Sequence, residues 1–156
     1  MNPRAKTLLD RAIARGLTIA TAESCTGGMI AAAITDIAGS SAVFGFGFVT
    51  YANDAKTALL GVDPLLIAFH GAVSAEVAAA MAEGALARSH ADRAIAVTGI
   101  AGPDGGSLEK PVGTVWFGLA ARSRTTITEC RVFPGDRAAI RAATVDHALD
   151  MLVESL

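Results

Sequence analysis

Apolar positions change their period several times along the chain, and each change marks an element. Leu8, Leu9, Ala12 and Ile13 recur at helical spacing and predict a helix over 3–15, closed by Gly16, which accepts left-handed backbone. An apolar run over 17–22 predicts a buried strand, and Met29, Ala32, Ala33 and Ile37 predict one side of a helix over 28–38. Loose alternation over 43–51 sets Phe44, Phe46 and Phe48 on one face of a strand and Gly45 and Gly47 on the other, where close packing is invited. Two short helices follow, one ending at Leu60 and one over 64–69 started by Asp63-Pro64. Val77, Ala80, Met81, Gly84 and Ala85 form a narrow small-residue stripe in a longer helix over 74–89, which reads as a packing face.

The second half turns to strands. Residues 93–98 predict a buried strand and 99–111 a glycine-rich loop. Two strands over 112–121 and 125–133 are joined by the polar turn Arg122-Ser123-Arg124 as a hairpin. Pro134-Gly135-Asp136 starts a final helix with Ile140, Ala143, His147 and Met151 along one side. Helices interleaved with strands predict an α/β fold of three layers, α/β/α, around a mixed, mainly parallel sheet that includes the C-terminal hairpin. The 156 residues fit one domain over 1–156, without internal repeat or linker.

Composition narrows the function classes. Hydrophobic residues make up 52% of the chain and mean hydropathy is +0.46, much of it from alanine and glycine, which suits tight helix packing or burial in a homo-oligomer. With 13 basic and 15 acidic residues and no basic block, nucleic acid is not an expected partner. Cys25 and Cys130 form no C-x-x-C pair, and His70, His90 and His147 stand singly, so neither a metal site nor a disulfide framework is signalled. Between Gly27 and Tyr51 the one charge is Asp36, but Gly39-Ser40-Ser41 divides the stretch into halves too short to span a bilayer. The first helix is amphipathic, unlike a signal peptide. These observations lead us to expect a cytoplasmic protein that does not engage a membrane.

Three stretches offer chemistry. In Thr21-Ala22-Glu23-Ser24-Cys25-Thr26-Gly27-Gly28, Ser24 sits between a strand and a helix, where a serine either caps the helix or acts as a nucleophile beside N–H groups that can hold an oxyanion. Tyr51 and Lys56 are five apart, about 140° around an unbroken helix, so they straddle a strand end and a helix start. A lysine there opposes the helix dipole and loses affinity for its proton; the plainer alternative is a solvated lysine and a core tyrosine. Arg137 and Arg141 share a face at the start of the last helix, where basic residues suit an anion such as phosphate or pair with acidic neighbours such as Asp136. Neither Gly45-Phe46-Gly47 nor the loop from Gly99 to Gly106 fits a nucleotide fingerprint, although a long loop favours a ligand role.

Read together, these stretches resemble the CinA C-terminal-domain family, also called the nicotinamide-mononucleotide deamidase family. The matching pieces are TAESCTGG at 21–28, ITDIAGSSAVF at 34–44, GFVTYANDAK at 47–56, HGAVS at 70–74, TGIAGPDGGSLEKPVGTVWF at 98–117 and FPGDR at 133–137. The resemblance implies an amidohydrolase that converts nicotinamide mononucleotide and water into nicotinic acid mononucleotide and ammonia, with no metal and no other cofactor. It assigns Ser24 as nucleophile and Tyr51 and Lys56 as its activating partners. Ala52 stands where relatives often have serine, at a position with no catalytic role. Gly27 and Gly28 become candidates for the oxyanion hole, and Ser41, Thr98 and Arg137 candidates for holding the phosphate and ribose, with Arg141 behind them. Glu23 is either an ion-pair partner for Lys56 or part of the helix entry. The small-molecule pyridine nucleotide is the expected partner. The alternative class is a non-catalytic nucleotide-binding module linked to competence.

Overall fold

A computed structural model describes residues 1–156. The elements run α1 (Pro3–Arg15), β1 (Ile19–Glu23), α2 (Met29–Thr35), a 3₁₀ turn (Ser40–Ala42), β2 (Phe44–Val49), α3 (Asn53–Leu60), α4 (Pro64–His70), α5 (Ala75–Ser89), β3 (Arg93–Gly99), β4 (Thr114–Ala121), β5 (Ile127–Val132) and α6 (Arg137–Ser155). Their order is the expected one with the 3₁₀ turn added. Local chemistry sets the ends: Asn2, Asp63, Ser74 and Asp136 cap α1, α4, α5 and α6 through their side chains, and Gly16 and Gly61 close α1 and α3 with positive φ. No helix is long and apolar enough to cross a membrane.

The five strands lie in the order β2-β1-β3-β4-β5. β1 pairs in parallel with both β2 and β3, β4 is antiparallel to β3, and β5 is antiparallel to β4. Only β4 therefore runs against the others, and the hairpin closes one edge. Glu23 is registered with Val49 on one side and Val97 on the other, so the chain leaves β1, β2 and β3 at one end of the sheet. Here β1 continues to β2 on one flank while β3 lies on the other, and the loops part to leave a crevice.

The sheet faces differ in side-chain size. Ile19, Ile95, Val97, Val115, Phe117 and Leu119 pack with α1, α2 and α6, whereas Ala20, Ala22, Ala94, Ala96 and Ala120 lie under α3, α4 and α5. The small face lets helices approach closely: a Cβ on Gly118 would run into the Ala78 carbonyl of α5, and one on Gly84 into the Leu60 carbonyl of α3. Much of the alanine and glycine excess serves this contact, with Val77, Met81 and Ala85 buried in it.

Three periodicity readings need correction. A register irregularity lies where Ile19 pairs with Phe44 but Ala20 with Phe46, and the extra residue turns Phe44 to the face opposite Phe48. Its ring then stands 3.0 Å from where a Cβ of Gly47 would be. The buried stripe of α2 is Ile30 and Ile34, followed by Ile37, because isoleucines remove more apolar area from water than Ala32 and Ala33. In α6 the buried set is Ile140, Thr144, Val145, Ala148, Leu149, Met151 and Leu152, which replaces the line through Ala143 and His147.

Candidate active site

Residues 24–28 form a turn between β1 and α2, and its shape is set from below by Glu23. That side chain is 1% exposed and accepts from Thr26 Oγ1 at 2.7 Å, Ile30 N at 2.8 Å and Ala31 N at 2.9 Å. Its carboxylate therefore satisfies the first free N–H groups of α2, the task a cap residue performs. Of the two roles open to Glu23, helix entry is the one realised. Ser24 makes no cap bond, which leaves its hydroxyl free for another partner.

That partner is Lys56. Its Nζ lies 3.0 Å from Ser24 Oγ, 3.0 Å from the Thr50 carbonyl oxygen and 3.4 Å from the Tyr51 carbonyl oxygen. The side chain is 1% exposed, and no carboxylate forms an ion pair with it. Burial without a counter-charge pulls its pKa below the ordinary lysine value of 10.5. An ammonium here donates to all three oxygens, whereas a neutral amine donates to the two carbonyls, which only accept, and turns its lone pair to the serine hydroxyl.

Ser24, Tyr51, Lys56, Thr98 and Arg137 line one cavity of about 310 Å³. Thr98 is buried, and its hydroxyl donates to the Ala72 carbonyl at 2.8 Å. Having spent its proton, it can accept from a ligand but cannot donate to a phosphate. Arg137 donates through NH1 to the Gly102 carbonyl at 2.8 Å and through NH2 to the Tyr51 hydroxyl oxygen at 2.9 Å. Tyr51 is 60% exposed, and its phenol points to Arg137, while Lys56 meets only its main chain.

The other named residues lie elsewhere. Gly27 and Gly28 do not line the cavity, and the Gly27 N–H is spent on the Ser24 carbonyl. Positive φ at both, +59° and +102°, shows that they shape the turn. Ser41 is exposed in the 3₁₀ turn before β2, at the opposite end of the parallel strands from Ser24. Arg141 is outside the cavity as well. Asp136 caps α6 through Ala139 N and forms no ion pair with either arginine.

Sequence reasoning missed Cys25, Asn53, Ala72 and Val73 as cavity lining, while the long loop it favoured for a ligand does line the cavity through Ile100, Ala101 and Asp104. The signal was present, since each falls inside a stretch already singled out. Cys25 is buried beside Ser24, and burial pushes its thiol up to about 11, so it is not a competing nucleophile near neutral pH. Its backbone N–H, on the residue after Ser24, donates to no protein carbonyl. No group of three or more histidine, cysteine, aspartate or glutamate side chains is gathered in a way that could hold a metal ion.

Comparison with known proteins identifies the family. The model of the family described as the CinA C-terminal domain matches residues 1–156. A putative competence-damage inducible protein of Symbiobacterium thermophilum is 58% identical over 146 residues, which cover 88% of this chain and 34% of that protein. The chain thus spans about a third of the length of that relative. The nicotinamide-nucleotide amidohydrolase PncC of Escherichia coli strain K12 is 56% identical over 139 residues, covering 89% of this chain and 84% of that protein. Among solved structures, the competence/damage inducible protein CihA from Agrobacterium tumefaciens superposes with a TM-score of 0.91 at 50% identity, over 99% of this chain and 96% of its own.

Proposed function

This chain belongs to the CinA C-terminal domain family, and we propose that it is a nicotinamide-nucleotide amidohydrolase that cleaves the carboxamide of nicotinamide mononucleotide without a metal ion. The observation that carries this reading is the 3.0 Å approach of the buried Lys56 amine to the Ser24 hydroxyl with no carboxylate to hold the amine charged. Its 56% identity to the Escherichia coli protein of that activity, over most of both chains, supports the same substrate class.

Lys56 takes the Ser24 proton directly as Oγ attacks the carboxamide carbon. The contact between them leaves no need for Tyr51 as a relay. The developing oxyanion is received by the Cys25 N–H, which has no carbonyl partner and belongs to a residue lining the cavity. This assignment takes the place of Gly27 and Gly28. When the carbon–nitrogen bond breaks, the Lys56 ammonium returns its proton to the departing nitrogen and ammonia leaves an acyl-serine. Water then attacks the acyl carbon while Lys56 takes its proton; as the intermediate collapses Lys56 returns that proton to Ser24 Oγ, and the new carboxylic acid releases its own proton to solvent as the carboxylate product.

Arg137 and the Tyr51 hydroxyl stand together at the mouth and supply donors for the phosphate. Thr98 accepts from a ribose hydroxyl, and Ser41 has no part in the site of its own chain. The exposed Phe46 and Val49 on the unpaired edge of β2, with Leu65 and Phe69 on α4, support a homo-oligomer. The deciding experiment is ammonia release from nicotinamide mononucleotide in the presence of a chelator. The wild-type protein turns over and Ser24→Ala does not; equal turnover by the two would overturn the mechanism.

A further inference from the structure

Arg141 lies one helical turn beyond Arg137 on α6 but faces different partners. Its Nε donates to the Cys25 carbonyl at 3.1 Å and its NH2 to the Thr26 carbonyl at 3.1 Å. No acidic side chain pairs with it, and it does not reach the cavity. A guanidinium in the first turns of a helix opposes the positive end of the dipole, so its charge needs acceptors. Here two successive main-chain carbonyls of the nucleophile turn provide them.

We infer that Arg141 is a positioning residue for the proposed amidase reaction: its fork holds the Cys25 and Thr26 carbonyls, and so fixes the turn that carries Ser24 and the oxyanion-binding Cys25 N–H. A trans peptide points its C=O and N–H in opposite directions, so tethering the Thr26 carbonyl orients the Gly27 N–H of the same peptide, and the partner of that N–H, the Ser24 carbonyl, shares its peptide with the Cys25 N–H. The Ser24 carbonyl is already held by Gly27 N at 3.1 Å, and the Thr26 carbonyl also accepts from Met29 N at 3.2 Å. With Arg141 in place, the three consecutive carbonyls of Ser24, Cys25 and Thr26 are all tied, and none of these peptides can flip without breaking a bond. The turn needs this outside support because Gly27 and Gly28, at positive φ, follow directly and give the backbone its widest freedom.

This assignment rests on Ser24 being the nucleophile but not on the identity of the amide, and the test keeps the two apart. Ammonia release from nicotinamide mononucleotide is measured beside the acylation burst with p-nitrophenyl acetate, which reads Ser24 reactivity without the nucleotide. Arg141→Ala is expected to lower both kcat and the burst rate about a hundredfold, the scale of a misplaced catalytic group, with KM for the nucleotide unchanged. Arg141→Lys, which offers one point donor where the fork offers two, should fall between, and millimolar guanidinium should restore part of the Arg141→Ala burst. Thermal melts establish that Arg141→Lys is folded. A raised KM with kcat and burst intact would overturn the inference and return Arg141 to ligand binding. An unchanged burst in folded Arg141→Lys together with no guanidinium rescue would overturn it too. Loss of the burst in a protein that releases no ammonia from nicotinamide mononucleotide would uphold the clamp and reject the nucleotide amidase reading.

Discussion

The Lys56 amine and the Ser24 hydroxyl meet at 3.0 Å across 32 residues of sequence, and no carboxylate forms an ion pair with the buried amine. Burial lowers the Lys56 pKa below 10.5, so activity should rise with pH as the free amine forms, on a limb whose midpoint lies below that value. Lys56→Met should lose about 10²–10⁴-fold in kcat/KM together with the limb. A pH–rate profile of the two proteins checks this; a limb retained in Lys56→Met would assign it to another group.

The same shift has a stability consequence. Below the lowered pKa the folded and unfolded states both carry the proton, and the cost of burying the charge is felt in full. Between that value and 10.5 the unfolded chain binds more protons than the folded one, so stability rises with pH, and above 10.5 the cost is gone. Urea midpoints over this range should show wild type gaining on Lys56→Met as pH increases. A constant or shrinking difference would contradict the lowered pKa.

Arg137 bridges the Gly102 carbonyl and the Tyr51 phenol with two nitrogens, a geometry that a lysine ammonium does not reproduce. Arg137→Lys should raise KM for nicotinamide mononucleotide about tenfold, as expected for weakening one charge-assisted contact, and raise it less for the phosphate-free riboside. Tyr51→Phe should reduce kcat/KM while changing stability by only about 0.5 kcal/mol, because the ring is largely exposed. Equal losses for nucleotide and riboside in Arg137→Lys would remove the phosphate contact from the assignment.

Glu23 satisfies Thr26 Oγ1 and two main-chain N–H groups in a buried setting. Glu23→Ala leaves those donors without acceptors and should cost about 3 kcal/mol or more in urea unfolding at neutral pH. A loss below about 1 kcal/mol would mean that the α2 entry does not depend on the carboxylate.

The two cysteines should separate under alkylation. At pH 8 a thiol with its pKa pushed to about 11 is roughly one part in a thousand thiolate, and Cys25 is also buried, whereas Cys130 is exposed. Mass spectrometry after iodoacetamide should find Cys130 modified first and activity retained. Labelling of Cys25 at a comparable rate would argue against its burial beside Ser24.

The element order and the helix ends were legible in the amino-acid sequence because they depend on neighbours a few residues apart: Asn2, Asp63, Ser74 and Asp136 at helix starts and glycines at their ends. Ser24, Tyr51, Lys56 and Arg137 were legible as candidates because each sits in a distinctive stretch where one element gives way to another, Thr98 entered through the family resemblance alone, and the fold brings all five to one cavity. Tertiary structure decided what depends on distant atoms. The burial that lowers the Lys56 pKa comes from packing around β1, β2 and α3, and the bulge that turns Phe44 over comes from the register of β2 against β1. Whether an arginine at the start of α6 faces a ligand or a carbonyl depends on which loop lies opposite, so Arg137 and Arg141, alike in sequence, part company in space. Local sequence specifies backbone direction and side-chain type, whereas hydrogen-bond partners and desolvation are set by atoms brought from elsewhere in the chain.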